Sequence, residues 1–474
     1  MAGETFLHGV EVLEIDDGAR PIQTVRSSVI GLVGTAPSAD PVAFPLNTPV
    51  LIAGSRREAA KLDLLGTGLG TLPAAMDSIF DQTGAVVIVV RVEKDEEDAG
   101  TLANLLGGVN AINGQYEGVH ALLGAESVVG FQPRILIAPG FTHTRVSGGI
   151  TAVTVNTQGT GYTSAPAVSF TGGGGTGATA VAVVTEGKVT AVQVTNPGSG
   201  YTTAPTVAFT GGGGTLAAAT ASFGIVGNAV VAELIGIAER LRAIIIADGP
   251  NTNDADAIGY AGDFGSDRVY VVDPKVIKTG STGFTVTEWS SACAAGLLAK
   301  SDNDRGFWWS PSNQEINGIQ GTARPIDFTL GDANSRANLL NESKIATIIR
   351  QDGFRLWGNR SLSSDPKWAF LCVRRTADII NDSLLRAHLW AVDRGITKTY
   401  VDDVKEGVNN YLRHLVSIGA ILGGECWADP DLNSADQIAQ GKVYFDFDFT
   451  PVYPAEHVTF RSHLVNNYIT EIFN

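Results

Sequence analysis

The 474-residue chain predicts an α/β fold with a smaller α+β C-terminal domain, an inserted all-β repeat module and an extended arm at each end. Three observations carry this expectation. Short β-branched runs alternate with amphipathic stretches, the pattern of a parallel sheet covered on both faces. From Gly149 to Phe223 only Glu186 and Lys188 are charged, and the stretch repeats itself. Residues His8–Ile15 and Val458–Ile472 alternate like strands yet flank the compact regions.

The N-terminal arm, residues 1–20, contains HGVEVLEI. Val10, Val12 and Glu14 share one side; Glu11, Leu13 and Ile15 share the other. A lone strand of this kind needs a partner, and Asp16-Asp17-Gly18 then breaks it. The first part of the α/β core covers 21–148. Val29–Gly34 reads as a buried strand, and Arg56–Leu65 as a helix with Ser55 at its N-cap. Leu72–Gln82 reads as a second helix, and the runs within Ala85–Glu93 and Arg134–Gly140 as strands.

The repeat module covers 149–223. ITAVTVNTQGTGYTSAPAVSFTGGGGTGATA from Ile150 matches VTAVQVTNPGSGYTTAPTVAFTGGGGTLAAA from Val189. Tyr162 aligns with Tyr201, Pro166 with Pro205 and Phe170 with Phe209, an offset of 201 − 162 = 39 residues. Thr/Val strands punctuated by Gly and Pro predict a small β unit. Beyond it the core pattern resumes, with a helix at Asn228–Arg242 and a strand at Ala243–Asp248. Removing the repeats leaves strand, helix and strand contiguous, so the module reads as a loop insertion.

The second part of the core, 224–335, adds a capped helix at Asn253–Tyr260, a strand at Arg268–Asp273 and a helix at Thr287–Ala299. A C-terminal domain is expected over 336–454. It opens with a helix-like segment at Leu339–Ile345, a β-branched run at Ile345–Ile349 and an aromatic strand at Phe354–Trp357. Its long helices are expected at Ala377–Arg394 and Asp402–Leu422. All seven Trp lie at or beyond Trp289. The C-terminal arm, 455–474, alternates Val458, Phe460, Ser462, Leu464 with Thr459, Arg461, His463, Val465.

Composition narrows the function. Charged residues make up 17% of the chain, low for a solvated monomer, which points to surface covered by other copies. The net charge of -16, without a Lys/Arg cluster, argues against nucleic-acid binding. Cys293, Cys372 and Cys426 suit buried free thiols. The N-terminus lacks the basic and apolar regions of a signal peptide, and no apolar run approaches about 20 residues, so secretion and membrane insertion are not expected.

Catalytic candidates meet blander explanations. No P-loop or Gly-x-Ser-x-Gly elbow is present. Gly66, Gly68 and Gly70 follow a helix and suit a turn; Gly172–Gly175 and Gly211–Gly214 suit hairpin loops. None of the seven His has metal-ligand spacing, and His388 reads as a packing or interface residue. Asp248, Asp254, Asp256 and Asp263 lack EF-hand spacing and suit helix capping. No catalytic residue, cofactor or metal is expected.

Several segments together resemble the contractile-tail sheath proteins of tailed bacteriophages and R-type pyocins. They are GVEVLEI and ARPI near the start, VIGLVGTAP, RILIAPGF, ERLRAIIIADGPNT and RVYVVDP. The strongest are LLNE with TIIRQDGFRLWGNRS, AHLWAVDRGIT from Ala387, and VYFDFDFTPVYPAEHVTF from Val443. Residues 149–223 depart from the pattern. The resemblance implies a subtilisin-like sheath core without hydrolase activity. It also implies a subunit that stacks in hexameric rings around a tail tube, contracts, and drives the tube through a host envelope for genome ejection. Implied partners are other copies of the chain, the tube protein, and baseplate and tail terminator proteins. The implied location is the virion tail, assembled in the host cytoplasm. Strands are exchanged between subunits, here through Val10, Val12, Leu13 and Ile15 at one end and Val458, Phe460, Leu464 and Val465 at the other. The alternatives are the sheath of a pyocin or injection particle, a β-rich glycan-binding adhesin suggested by the repeats, and an inactive subtilisin-like hydrolase suggested by the core.

Overall fold

The structure is a computed structural model that describes residues 22–280, 283–466 and 468. It divides into two compact units. One holds residues 27–375 and the described residues from Tyr453 onward; the other holds the described residues up to Arg26 and residues 376–452.

The larger unit is built on a nine-stranded sheet. Its parallel centre runs Val86–Val92, Ile30–Thr35, Ile135–Ile137, Ile244–Asp248, Val269–Val272 and Ile345–Arg350. Pro49–Ala53 adds antiparallel at one edge; Phe354–Trp357 and then Gln314–Glu315 add at the other. The central strands are apolar throughout because both faces are covered. Ile244 and Ile246 pack in one layer with Leu72–Phe80 and Ser290–Arg305; Ile245 and Ala247 pack in the other with Asp98–Leu106 and Ala229–Leu241. A Cβ on Gly296 would lie 2.8 Å from the Ile79 carbonyl oxygen, so this glycine lets the first two helices approach closely.

Three expectations change in this unit. Ile345–Arg350 and Phe354–Trp357 belong to the main sheet, not to a separate C-terminal domain; the division between units falls at Thr376. The register of the parallel sheet, with Val271 opposite Ile345, recruits them. The helix expected at Thr287–Ala299 starts at Ser290 and runs to Arg305, because Thr287 pairs with Ile277 in a three-stranded sheet. Arg56–Leu65 breaks into Arg56–Ala59 and a 3-10 turn at Ala60–Leu62. Ser55 does cap it, accepting from the Glu58 N–H at 3.3 Å.

Between Ile137 and Ala229 the chain forms a separate six-stranded sheet. Its strands are Val146–Thr160, Ala167–Thr171, Thr176–Thr185, Lys188–Ser199, Thr206–Thr210 and Thr215–Val226. The third strand of each repeat pairs with the first strand of the other: Thr176 faces Ser199 and Thr215 faces Thr160. The middle strands pair across the pseudo-symmetry, Ser169 with Ala208. The Gly200 and Tyr201 N–H groups donate to the Ser147 and Gly148 carbonyls, which brings the two edge strands together.

The glycine tetrads have a packing role here. Tyr162 and Tyr201 are the large buried side chains of the module. A Cβ on Gly214 would lie 2.4 Å from the Tyr162 ring, and one on Gly175 would lie 2.4 Å from the Tyr201 ring. Each tetrad therefore walls in the other repeat's tyrosine. The Thr163 N–H donates to the Gly212 carbonyl and the Thr202 N–H to Gly173, 2.8 and 2.9 Å. Neither repeat can bury its own tyrosine alone, which accounts for the duplication.

The module's two ends meet. Gly149 pairs with Gly224 and Val146 with Val226. Asn228 locks the junction: its Oδ1 accepts from the Val231 N–H at 3.0 Å, capping the next helix, and its Nδ2 donates to the Phe141 and Thr144 carbonyls. Arg145 holds Asp263 through two hydrogen bonds of 2.7 Å.

In the smaller unit, Lys398–Ser417 is a 20-residue helix capped by Thr397. It ends earlier than the Asp402–Leu422 expectation because Gly419 turns the chain at φ 78, and Ile421–Trp427 becomes a strand paired with Asp446–Pro451. The other expected long helix, Ala377–Arg394, ends at Ala387. Residues after Pro21 attach to this unit through Thr24 Oγ1 with the Tyr411 hydroxyl, and the Val25 N–H with Ser383 Oγ.

Gly214 sits at negative φ, so Gly214→Ala isolates the tyrosine contact from backbone strain. Overpacking of this kind costs about 1–3 kcal/mol. Calorimetry should show the module destabilised by that order while the main-sheet transition stays put; an unchanged module would remove the interlocking role of the tetrads.

Candidate inter-subunit interface

The carboxyl ends of parallel strands are where open α/β sheets hold ligands, at the point where the winding reverses. Here that point lies between Ile30–Thr35 and Ile135–Ile137. A Cβ on the neighbouring Gly140 would lie 3.1 Å from Trp289 Nε1 and 3.2 Å from Thr71 Cγ2. Trp289 in turn stacks on His143, ring centroids 4.0 Å apart, and carries the Lys275 ammonium 3.4 Å from its ring. Side chains thus fill this position.

The aspartates flagged in the sequence are each engaged. Asp248, at the end of its strand, accepts from the Ser291 N–H and Oγ at 2.8 Å and so caps the Ser290–Arg305 helix from outside. Burial pushes its carboxyl up to about 6 against those hydrogen bonds. Asp254 accepts from Arg336 and Arg324, and the Arg336 hydrogen bonds foremost hold it down to about 2. Asp256 accepts from Thr252 and Asn253, and Asp263 pairs with Arg145. Burial brings His143 down to about 4, Lys275 adding to the shift. Burial likewise pushes the thiols of Cys293, Cys372 and Cys426 up to about 11. Among the described residues no group of three His, Cys, Asp or Glu is placed to hold a metal. His388 closes onto the end of the preceding helix, its Nδ1 2.7 Å from the Leu384 carbonyl.

The assembly candidates look different. Val10, Val12, Leu13 and Ile15 lie outside the described residues. Val458, Phe460, Leu464 and Val465 are described and belong to no strand or helix. They are exposed; Phe460 is 93% and Leu464 99% accessible. Exposed apolar side chains in sequence alternation are a candidate contact surface.

The smaller unit carries a further feature that the sequence reading did not isolate. The sheet of Ile421–Trp427 and Asp446–Pro451 has only two strands among the described residues. Cys426 turns its N–H and carbonyl away from Phe447, to Asn409 Oδ1 at 2.8 Å and Asn409 Nδ2 at 3.0 Å. In an antiparallel pair the facing residue then also turns its groups outward. Phe447, and Phe449 two residues on, therefore present N–H and carbonyl groups along the far edge of Asp446–Pro451. Asn409 occupies the corresponding place on the other edge. The alternation Asp446-Phe447-Asp448-Phe449 was the available signal.

The comparisons agree with one another. The model of the phage tail sheath C-terminal domain matches residues 363–464, that of the phage tail sheath protein central domain 218–362, and that of the tail sheath protein domain III N-terminal region 27–92. A prophage major tail sheath protein of Pseudomonas aeruginosa (strain UCBPP-PA14) is 39% identical over 99% of both chains, an alignment that runs through the repeat module. The tail sheath protein of Escherichia phage P2 is 32% identical over 98% of both. Among solved structures, the contracted helical sheath of the anti-feeding prophage has the same fold at 19% identity, with a TM-score of 0.60, 97% of this chain and 99% of that one covered. The contracted sheath complex of an extracellular contractile injection system gives 0.56 at 14% identity, with 98% and 99% covered.

Asp248 has a distinctive pH signature. Its folded pKa lies above its ordinary value of 3.8, so its contribution favours the fold below that value and is lost as pH rises through about 6. Subtracting the melting profile of Asp248→Asn from that of the unsubstituted protein should leave a difference that declines between pH 4 and 6.5. A difference flat across that range would contradict the burial of an ionisable carboxyl here.

Proposed function

The chain belongs to the phage tail sheath family, and we propose that it polymerises as stacked hexameric rings around a tail tube and contracts to drive that tube through a host envelope for genome ejection. It is a structural subunit of a contractile tail and not an enzyme. The phage relatives, at 30–39% identity, favour a virion tail over a headless injection particle. In this reading the subunit assembles in the host cytoplasm, and its partners are its own copies, a tube protein, a baseplate and a tail terminator. The doubly wound parallel sheet supports reading the core as subtilisin-like. Among the described residues no helix is long and apolar enough to cross a membrane.

The observation that carries the mechanism is that, among the described residues, no strand pairs with the edge at Phe447 and Phe449 and the C-terminal alternating segment joins no sheet. A two-stranded sheet is marginal by itself. An arm from another copy would extend it by β-augmentation. Each net backbone hydrogen bond contributes roughly 0.5–1.5 kcal/mol. Contacts repeated on every subunit make the polymer cooperative, and head-to-tail contacts of this kind give open helices. The stored energy then resides in a metastable lattice, without need of a nucleotide.

Val12→Pro removes a donor and fixes φ, which a paired strand tolerates poorly. That variant, and deletion of the residues after Pro454, should each abolish or greatly reduce tubes in negative-stain images while leaving circular dichroism and melting nearly unchanged. Tubes of normal length at normal concentration from either would remove arm exchange. A second experiment addresses the module. Its ends pair at Gly149 and Gly224, so deleting 149–223 and joining Gly148 to Gly224 should leave a folded, polymerising chain with the module's bulk missing from the outer surface. A folded deletion that forms no tubes would place the repeats in the lattice.

A further inference from the structure

The segment Gly358–Leu371, which overlaps the chain's most distinctive motif, is held by hydrogen bonds at several points. The Tyr270 hydroxyl donates to the Gly358 carbonyl at 2.7 Å, and the Leu362 N–H donates to Val269, tying the segment to the main sheet. Within it the Ser361 N–H donates to Ala369 and the Leu371 N–H to Asn359. Ser361 itself is fully buried, with its Oγ on the Trp368 carbonyl at 3.1 Å. One side chain projects from this platform to the C-terminal segment. Arg360 Nε donates to Glu456 Oε1 at 2.8 Å, and its Nη2 donates to Oε2. The same guanidinium lies 5.1 Å from the centre of the Phe370 ring, and Tyr453 meets Phe370 edge-on with centroids 6.2 Å apart. Two residues past Glu456 the exposed alternation begins at Val458.

We infer that Arg360 is a positioning residue for assembly: with Phe370 it clamps Tyr453 and Glu456, fixing the point and direction from which the C-terminal arm leaves the larger unit. This rests on the arm-exchange reading and deepens it by naming the residue that aims the arm. Arg suits the task because its planar fork grips a carboxylate in two places and stacks on an aromatic ring at once. Arg360 and Glu456 are both more than a third accessible, so the pair adds little to the stability of the folded chain. Its effect lies in preorganisation. A tethered root keeps the arm near the neighbouring edge, and releasing it lowers the effective concentration of the strand.

The test uses the full chain and the polymerisation threshold measured by sedimentation. Arg360→Glu and Glu456→Arg should each raise the critical concentration by about tenfold, with the melting temperature of the unassembled protein nearly unchanged. The double exchange, Arg360→Glu with Glu456→Arg, should restore most of the loss. Single variants with an unaltered threshold, a double variant as impaired as the singles, or a large fall in melting temperature would each overturn the positioning role. Deletion after Pro454 runs in parallel. If the deletion blocks polymerisation while the single variants do not, the clamp fails and arm exchange stands; if the deletion polymerises normally, arm exchange itself fails.

Discussion

Backbone hydrogen bonding is the constraint on which this molecule turns. Every strand must place its N–H and carbonyl groups against something. In the main sheet they are met within the chain, from Val86–Val92 across to Ile345–Arg350. In the repeat module they are met by exchange between the two repeats, with Thr215–Val226 returning to Val146–Thr160. At Asp446–Pro451 no further strand takes the far edge among the described residues, and exposed edges of this kind are what natural proteins otherwise avoid. In the proposed assembly such an edge has a use, because an edge satisfied by a neighbour would make assembly and strand pairing the same event.

The rest of the larger unit is a closed framework. Six parallel strands with helices on both faces give a stiff body. The module attaches through two adjacent strands and the Asn228 clamp, so its bulk enters and leaves at one place. The position where a related architecture would bind a ligand is filled by Trp289, Thr71 and His143. Asp248, the buried acid of that region, serves a helix N-terminus. These groups resemble chemistry in kind but are spent on packing, in keeping with a structural family.

Much of the core was legible because burial on both faces leaves an unmistakable record: VVIVVRV and IIIAD appear as strands almost where their β-branched runs lie. Caps were legible too, at Ser55 and Asn253, since their side chains act locally. What failed depended on distant partners. Ile345–Arg350 reads as part of a later domain because nothing local records that Val271 lies opposite Ile345. The helix expected over Asp402–Leu422 runs past Gly419 because Ile421 and Leu422 suit either structure, and only the pairing with Asp446–Pro451 decides. The proposed interface is legible in the sequence only on the side of its arm. Alternation marked Val458–Val465 as strand-like, whereas the receiving edge depends on Asn409 meeting Cys426, a contact between residues 17 apart that no period reveals.

Strand exchange between copies is most directly measured by covalent capture in a mixed polymer. One population carries Thr450→Cys beside the open edge; a second carries a single cysteine at Val458, Phe460 or Leu464. The native cysteines are buried. After co-assembly and mild oxidation, a covalent heterodimer can form only between chains. The account predicts such heterodimers for at least one arm position in polymer and none in unassembled protein. Polymers that form normally yet yield no heterodimer at any of the three positions would contradict it.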